Sequence, residues 1–403
     1  MSSRKKLLII SFDAVGDKEW SRLLQYPNFA KIAGKSAIVH SVKSIFLSNT
    51  YPVHASVVTG VQPAKHGIIN NTEREPVHSP RWWYDAARIK VKTLWDVAHE
   101  AGLSVAAVLW PVTGRAKAIK WNVPESMATP KENQLLTNLK NGSKLLQLKL
   151  FLKYGHLMEG LVQPALDNFT TACMRDILME KDPDLALVHL TAYDTLCHQG
   201  GLGSSGIGKA LESLDNNLGI ILKAAGKDRN VIIFSDHAQL PAEEDVLPNK
   251  MLSEKFGYTR EIAKGYEDSS CYFECCGGSA FFCNFKLAEA EVEKVKDAVT
   301  NLAGFKRFLT AEELAVSGRE DVLFGFSVKE GYVTNNFPSH EKANHGYPLD
   351  YEGYEVFYMG SGPDFKAGEV HEGGSLLDIA PLACEILGLS LPDIREPRKE
   401  LLK

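Results

Sequence analysis

Cysteine is scarce in this chain, and long apolar runs and an excess of one charge sign are missing. The 403 residues include seven cysteines, an odd number thinly spread outside residues 271–283, which does not indicate a secreted disulfide framework. The apolar runs are far shorter than the roughly 20 residues of a membrane span. The 45 basic and 50 acidic residues give a net charge of −5, which argues against a protein that coats nucleic acids. These absences predict free thiols, no membrane partner and no stable nucleic-acid binding.

The N-terminal segment resembles a signal peptide but lacks part of the signal-peptide pattern. Basic residues precede an apolar run, but the run Leu7–Phe12 has only six residues and meets Asp13 directly. The small residues of a cleavage site do not follow it. The segment is better explained as the first strand of a sheet, and together with the cysteine pattern it predicts a cytoplasmic protein.

Apolar runs that end in polar residues alternate with segments of helical spacing. The predicted strands include residues 7–12, 104–110, 185–190 and 231–234, and the predicted helices include residues 93–101, 168–179 and 207–225. Continuous rather than alternating hydrophobicity suits strands that are covered on both faces. We therefore expect an α/β fold with a doubly wound, mostly parallel sheet and helices on both faces.

The chain is long enough for two or three units at roughly 150 residues each. Residues 1–244 and 341–403 are predicted to form the α/β domain, with an insertion at 112–165, and residues 245–340 a small α+β cap. The amphipathic segment 145–161 of the insertion could lie on a membrane surface, but a helix that covers the core is the commoner arrangement.

Three carboxylates and three imidazoles stand at predicted strand ends or in segments that can approach them. They are Asp13, Asp194, His198, Asp236, His237 and His345. The ligand crevice of an open α/β sheet lies beyond the carboxyl ends of its strands, and this set is sufficient for two divalent cations. Taken singly, an aspartate after a strand is often a helix N-cap, and a loop histidine is often an ordinary surface residue. Their joint position at one edge favours a metal site.

The segment SNTYPVHASVVTG supplies a candidate nucleophile. Pro52 suits the first turn of a helix, which places Thr50 at or near the helix N-terminus. There its hydroxyl oxygen meets unpaired N–H groups and the positive end of the helix dipole. Without metals, a simple capping threonine is the better explanation. Beside two cations, the hydroxyl can lose its proton and attack phosphorus.

With these segments the chain resembles the nucleotide pyrophosphatase/phosphodiesterase branch of the alkaline phosphatase superfamily. The shared motifs are FDA, TYPVHASVVTG, PAKHGIINN, DTLCH, SDH and HGY, in the same order and with the same spacing. The resemblance spans essentially the whole chain, with weaker agreement in the insertion and the cap. It implies an alkaline-phosphatase-like fold and two metal ions, most often zinc, with manganese or iron as alternatives.

The resemblance also implies roles for single residues. One ion would be held by Asp194, His198 and His345. The other would be held by Asp13, Asp236, His237 and the oxygen of Thr50. Asn71 would donate to a phosphoryl oxygen, and Tyr51 would stack on a nucleobase or another leaving group, although a core aromatic is an equal alternative for Tyr51.

Three departures from the family pattern bear on specificity. Asn49 replaces the usual lysine before the threonine, Ala192-Tyr193 replaces Glu-Pro, and His189 replaces an aromatic residue. The expected activity is hydrolysis of phosphodiester or phosphoanhydride bonds in nucleotides or small diesters through a covalent phosphoryl-threonine. The alternatives are phosphonoacetate-hydrolase-like or phosphomonoesterase activity and, outside enzymes, an inactive metal-binding scaffold. The oligomeric state stays open, with a homo-oligomer among the alternatives.

Overall fold

The apolar run Leu7–Phe12 forms the strand on which the fold is centred. The computed structural model describes residues 4–73, 81–262, 265–319 and 322–403. Its strands are β1 Leu7–Phe12, β2 Ser36–Val42, β3 Val105–Val108, β4 Trp121–Val123, β5 Leu185–Leu190, β6 Asn230–Ser235, β7 Leu240–Val246, β8 Arg260–Ile262, β9 Gly265–Glu267, β10 Cys271–Cys275, β11 Ser279–Asn284, β12 Phe305–Phe308, β13 Phe324–Val328, β14 Gly331–Thr334, β15 Ala343–Asn344, β16 Val356–Ser361 and β17 Val370–Glu372.

Helices alternate with strands in parts of the chain, and an α-helix follows about half of the strands. The helices are α1 Trp20–Leu23, α2 Pro27–Ala33, α3 Thr50–Thr59, α4 Pro63–His66, α5 Leu94–Glu100, α6 Gln134–Asn141, α7 Lys144–Tyr154, α8 Ala165–Lys181, α9 Ala192–Gly200, α10 Ser205–Ala225, α11 Pro248–Met251, α12 Glu289–Thr300, α13 Ala311–Val316 and α14 Ile379–Leu387. Over the described ranges, none of the helices has the length and apolarity needed to cross a bilayer.

The main sheet has the order β17-β2-β16-β6-β1-β5-β3-β4, and β16 runs antiparallel to both of its neighbours. The other paired strands are parallel. In β1, Leu8 and Ile10 belong to one hydrophobic core, and Leu7 and Ile9 belong to another on the opposite face. The first core includes residues of α8 and α10, and the second includes residues of α3, α5 and α14. The predicted doubly wound, mostly parallel sheet with helices on both faces is confirmed.

Residues of the predicted cap form a four-stranded antiparallel sheet of order β10-β11-β13-β12. Its core contains stacked and edge-on phenylalanines, including Phe273 and Phe282, whose ring centroids are 5.0 Å apart. Cys271, Cys275 and Cys276 are free thiols in this sheet and its hairpin, as predicted. A separate three-stranded sheet, β14-β7-β15, joins the cap to both parts of the α/β domain. The proposed boundaries at 245 and 340 stay a prediction.

A buried carboxylate fixes the start of α9, the helix that follows β5. Asp167 of α8 accepts hydrogen bonds from the backbone N–H groups of Thr191 at 3.0 Å and Ala192 at 2.9 Å, and from the side-chain amide of Gln163 at 3.0 Å. Because the first N–H groups of a helix have no partner within it, this carboxylate satisfies donors that would otherwise be buried and unpaired.

Replacing Asp167 with alanine should therefore lower the free energy of unfolding by about 2–4 kcal/mol, since three buried donors lose their acceptor. The measurement is the urea midpoint followed by circular dichroism. Glu180→Ala on the same helix is the matched control: its ion pair with Lys149 is exposed and should be worth less than about 1 kcal/mol. Equal midpoints for the two variants would contradict this role of Asp167.

Candidate active site

The carboxyl ends of β1, β5 and β6 bring the predicted acidic residues together. Asp13 follows β1, Asp194 lies in the first turn of α9 after β5, and Asp236 with His237 follows β6. These three strands are neighbours in the sheet, so their carboxyl ends meet at one edge. His345 follows β15 and reaches the same place, with its ring centroid 4.2 Å from that of His237.

One group of candidate ligands surrounds the Nε2 atom of His237. This atom lies 3.4 Å from Asp13 Oδ1, 3.3 Å from Asp236 Oδ2 and 3.3 Å from Thr50 Oγ1. The candidate ligand atoms of Asp13, Asp236 and His237 all lie within 4.8 Å of one another. The structure thus places together the four residues predicted to share one ion.

The second group is arranged slightly differently from the prediction. Asp194, His237 and His345 have candidate ligand atoms within 4.8 Å of one another. His198 joins this group through Asp194, whose Oδ1 lies 3.3 Å from His198 Nε2. The i,i+4 spacing on α9 accounts for that contact. His237 therefore belongs to both groups of candidate ligands. The predicted trio of Asp194, His198 and His345 lies next to His237.

The first group contains polar atoms that a cation would satisfy. Asp13 Oδ1 and Asp236 Oδ2 are buried and have no hydrogen-bond partner within the described part of the chain. The other oxygen of Asp236 accepts hydrogen bonds from the backbone N–H groups of Ala14 at 3.0 Å and His237 at 2.9 Å. Buried carboxylate oxygens are rarely left unpaired, so the donor set fits a divalent cation.

Burial and mutual repulsion favour the neutral forms of the residues in the first group, which raises the pKa values of the carboxylates and lowers that of the imidazole. Burial, followed by the charges of Asp236 and Asp194, raises the pKa of Asp13 well above its usual range. Burial likewise raises the pKa of Asp236 to about 7. Burial and the neighbouring His345 hold the pKa of His237 well below its usual range. A bound cation would counter this effect, because positive charge stabilises carboxylates and favours neutral imidazole.

The pKa values of Asp194 and His198 are shifted in the opposite sense, in favour of the charged forms. Burial opposes ionisation of both groups, but their mutual attraction outweighs it. The pKa of Asp194 is held below its usual range by His198, and that of His198 is raised to about 9 by Asp194. The two side chains form a half-buried ion pair, with 19% of the His198 side chain and 16% of the Asp194 side chain exposed.

Thr50 is the first residue of α3, and Asn49 occupies the N-cap position. The backbone carbonyl of Thr50 accepts a hydrogen bond from His54 Nδ1 at 2.7 Å. The backbone N–H of Tyr51 donates to Asn71 Oδ1 at 2.9 Å, which fixes the Asn71 amide beside the start of the helix. Thr50 and Asn71 line the same cavity, so a phosphoryl group could contact both.

Tyr51 lies beside this point but is fully buried. Its ring packs 5.3 Å from the ring of Trp82, measured between centroids and tilted by 53°, and it belongs to an apolar cluster with Ala55 and Ile68. It also lines the cavity. The stacking role given to Tyr51 stays a prediction.

Sequence reasoning missed the residues that orient the candidate ligands. His345 Nδ1 donates to Asn49 Oδ1 at 2.8 Å, which directs the other ring nitrogen of His345 away from Asn49. His189 Nε2 lies 3.1 Å from Asp13 Oδ2, and its Nδ1 lies 3.2 Å from Glu125 Oε2. A histidine inside the apolar run LALVHL was a signal for His189. The sequence offers no comparable signal for Asn49, since its partner is 296 residues away.

A cavity of about 660 Å³ opens onto the candidate ligands. The insertion carries the basic residues Arg115, Lys117 and Lys120. None of them lines the cavity, and no lysine or arginine does so among the residues that the structure describes. Arg115 instead contacts Asn141 and Asp85.

Comparisons with known proteins agree with this geometry. The model of the family described as type I phosphodiesterase / nucleotide pyrophosphatase matches residues 7–322. Bis(5'-adenosyl)-triphosphatase ENPP4 of Bos taurus is 24% identical over 96% of this chain and 79% of its own length. Ectonucleotide pyrophosphatase/phosphodiesterase family member 5 of Homo sapiens is 23% identical over 96% of this chain and 75% of its own length.

Solved structures show the same fold. An inactive variant of murine ectonucleotide pyrophosphatase / phosphodiesterase 5 in complex with AMP superposes with a TM-score of 0.73 at 18% identity, covering 99% of this chain and 100% of that one. The human protein of that name superposes with a TM-score of 0.72 at 18% identity, with the same coverage of both chains.

The relatives overturn one expectation, namely that the protein is cytoplasmic. Their names carry the prefix ecto-, which denotes enzymes that act on nucleotides outside the cell. The cytoplasmic expectation is wrong because it rested on an incomplete signal-peptide pattern and on unpaired cysteines. Neither feature determines the compartment in which a folded hydrolase acts.

Since the family model matches residues 7–322 of the 403, the protein belongs to the type I phosphodiesterase / nucleotide pyrophosphatase family and is a hydrolase of phosphodiester or nucleotide pyrophosphate bonds.

Proposed function

We propose that the protein hydrolyses phosphodiester or phosphoanhydride bonds of nucleotides or small diesters, with Thr50 as the nucleophile and two divalent cations as cofactors. The observation that carries the proposal is the position of Thr50 Oγ1. It lies 3.3 Å from His237 Nε2, beside the unpaired oxygens of Asp13 and Asp236, and it lines the cavity. A threonine that only capped a helix would not need a histidine and two buried carboxylates next to its hydroxyl group.

Zinc is the proposed metal, because mixed imidazole and carboxylate ligands suit it, with manganese and iron as the alternatives. Asp13, Asp236, His237 and Thr50 would hold one ion, and Asp194, His198 and His345 the other. When bound, the two ions would supply positive charge that lowers the pKa of the attacking oxygens and neutralises charge on the phosphoryl group.

The residues of the chain then perform a double displacement. Thr50 Oγ loses its proton and bonds to phosphorus, while the bond from phosphorus to the leaving oxygen breaks and that oxygen takes up a proton. Water next attacks the phosphoryl-threonine, the bond from phosphorus to Oγ breaks, and Thr50 recovers a proton. The N-terminus of α3 and the amide of Asn71 stabilise charge on the phosphoryl oxygens in both steps.

The cavity favours diesters over monoesters. A monoester dianion carries one more negative charge than a diester, so its binding calls for an additional cation. The described lining has no lysine or arginine to supply it. Phosphonoacetate-hydrolase-like and phosphomonoesterase activities are therefore the weaker alternatives. Nucleotide substrates are supported by the bis(5'-adenosyl)-triphosphatases among the relatives.

Thr50→Ala should lower kcat by at least about a thousandfold while two metal ions per chain remain, because only the nucleophilic oxygen is removed. The measurements are steady-state hydrolysis of bis-p-nitrophenyl phosphate and metal content by mass spectrometry. Thr59→Ala is the matched control: it lies at the other end of α3, and its hydroxyl donates to the Ala55 carbonyl at 2.7 Å. A Thr50→Ala rate near that of the unmodified protein would rule out Thr50 as the nucleophile.

Asp236→Asn should reduce metal content from two ions per chain to about one, since a neutral amide replaces a charged ligand of the first group. Equilibrium dialysis against zinc followed by elemental analysis measures the loss. Asp228→Asn, an exposed substitution just before the opposite end of β6, should retain both ions. Two fully occupied sites in Asp236→Asn would show that the ligands are assigned incorrectly.

The zinc-supplemented protein should show a kcat/KM for bis-p-nitrophenyl phosphate at least about tenfold above that for p-nitrophenyl phosphate, which corresponds to about 1.4 kcal/mol of discrimination. Both compounds release the same chromophore, so one assay compares them directly. A preference for the monoester would move the assignment to the phosphomonoesterase alternative. Full metal loading without hydrolysis of either compound or of a phosphonate would indicate the inactive scaffold.

A further inference from the structure

His189 is a polar residue inside an otherwise apolar strand. It belongs to the run LALVHL of β5, is fully buried and lies opposite Ser11 of β1. Buried polar side chains are costly unless other groups pair with them. The family resemblance implies an aromatic residue at this position, so packing within the strand does not by itself require an imidazole. The partners of the ring give the reason for its presence.

Two carboxylates flank the imidazole ring of His189. Its Nε2 atom lies 3.1 Å from Asp13 Oδ2, and its Nδ1 atom lies 3.2 Å from Glu125 Oε2. Ionised carboxylates only accept hydrogen bonds, so a ring that carries a proton on each nitrogen pairs favourably with both. The ring of His54 packs against that of His189, with the centroids 4.3 Å apart. His189 thus links Glu125 of the insertion to Asp13 of the main sheet.

Asp13 and Asp236 share one feature: the protein holds one oxygen of each carboxylate and leaves the other free. In Asp236, backbone N–H groups occupy Oδ1, whereas Oδ2 has no hydrogen-bond partner in the described part of the chain. In Asp13, His189 faces Oδ2, whereas Oδ1 has no such partner there. The two free oxygens lie 3.3 Å and 3.4 Å from His237 Nε2. They therefore face the place of the first ion, which is the ion proposed for the first group of ligands.

We infer that His189 and Glu125 are positioning residues for the first ion: together they hold Oδ2 of Asp13, so that Asp13 binds the ion through Oδ1 alone. The inference rests on the proposed function and concerns the metal site of that function. Partners of a metal ligand fix its orientation, and their loss typically weakens metal binding about 10- to 100-fold. Since Glu125 also lines the cavity, the insertion contributes both to the metal site and to the cavity wall.

His189→Phe should weaken binding of the first zinc ion about 10- to 100-fold and leave the affinity for the second ion unchanged. Phenylalanine keeps an aromatic ring but cannot pair with Asp13. The measurement is a titration of the whole protein with Zn²⁺ alone, in competition with a chelator. The second ion is the internal reference, because a variant that failed to fold would lose both ions. Affinities for both ions equal to those of the unmodified protein would overturn the inference.

Glu125 offers variants that disturb the fold less, since 26% of its side chain is exposed. In Glu125→Gln an amide oxygen can still accept from His189 but carries no charge, so the first ion should bind at least about threefold more weakly. Glu125→Ala also removes the acceptor and should approach the loss in His189→Phe. Should His189→Phe not fold, Glu125→Ala decides the question: an unchanged affinity for the first ion would then overturn the inference.

His66→Phe is the matched control. His66 is also fully buried, and its ring nitrogens contact Ser56 Oγ at 2.8 Å and the backbone N–H of Ile68 at 3.1 Å. The substitution removes an equally buried imidazole whose hydrogen-bond partners are not candidate ligands. It should lower the free energy of unfolding while both zinc affinities stay unchanged. A loss of the first ion as large as in His189→Phe would contradict a role specific to His189.

A double substitution tests whether His189 acts through the first site. Asp236→Asn is expected to retain only the second ion, so adding His189→Phe to it should leave the affinity for that ion unchanged. A further loss in the double variant would indicate an effect through the fold and would overturn the inference. An unmodified protein that bound no zinc would instead count against the proposed function itself.

Cobalt in place of zinc reports on the coordination of the ion. Without His189, Oδ2 of Asp13 is released and can join Oδ1 on the ion, which raises the coordination number. The visible absorption of saturating Co²⁺ should therefore be weaker in His189→Phe than in His66→Phe, because tetrahedral cobalt absorbs more strongly than cobalt with more ligands. Identical cobalt spectra in the two variants would contradict the inferred binding of Asp13 through one oxygen.

Discussion

The structure depends on three carboxylates, two buried and one half-buried, that meet at one edge of the main sheet. Asp13, Asp194 and Asp236 are held there because β1, β5 and β6 are adjacent and end at the same level. Charges removed from water are costly unless they are paired, and like charges this close repel one another. Burial raises the pKa of both Asp13 and Asp236. The sheet thus places negative charge where a cation would stabilise it, and in our proposal the neighbouring imidazoles would provide further ligands.

A chain of buried hydrogen bonds connects the cap to this site. Arg319 donates to Glu274 at 2.6 Å, and Glu274 accepts from Asn70 at 2.7 Å. Asn49 donates to Asn70 at 2.9 Å and accepts from His345 at 2.8 Å. Each side chain restricts the orientation of the next, so the direction of the His345 ring depends on residues of the cap. The cap therefore contributes to the geometry of the site through this series of hydrogen bonds.

The sequence was informative where a local pattern carried the chemistry. Asp13 and Asp236 directly follow apolar runs, and Pro52 marks the helix start that presents Thr50, so their positions could be predicted. The contacts of Asn49 and Glu125 could not, because their partners lie 296 and 64 residues away and share no periodicity with them. The helix of the insertion was predicted to cover the core. In the structure it covers the core with one face and forms the wall of a cavity, which depends on packing between distant segments.

The charge of the cavity lining bears on the substrate that we propose. A phosphodiester carries one negative charge, which the cations and the start of α3 can neutralise without a further basic residue, and the described lining provides none. Beyond the phosphoryl site the wall turns apolar, so binding energy there has to come from removing apolar surface from water. Asn49 stands where the family resemblance implies a lysine, and its side chain instead accepts a hydrogen bond from His345 at 2.8 Å, so this position orients a candidate ligand and adds no positive charge.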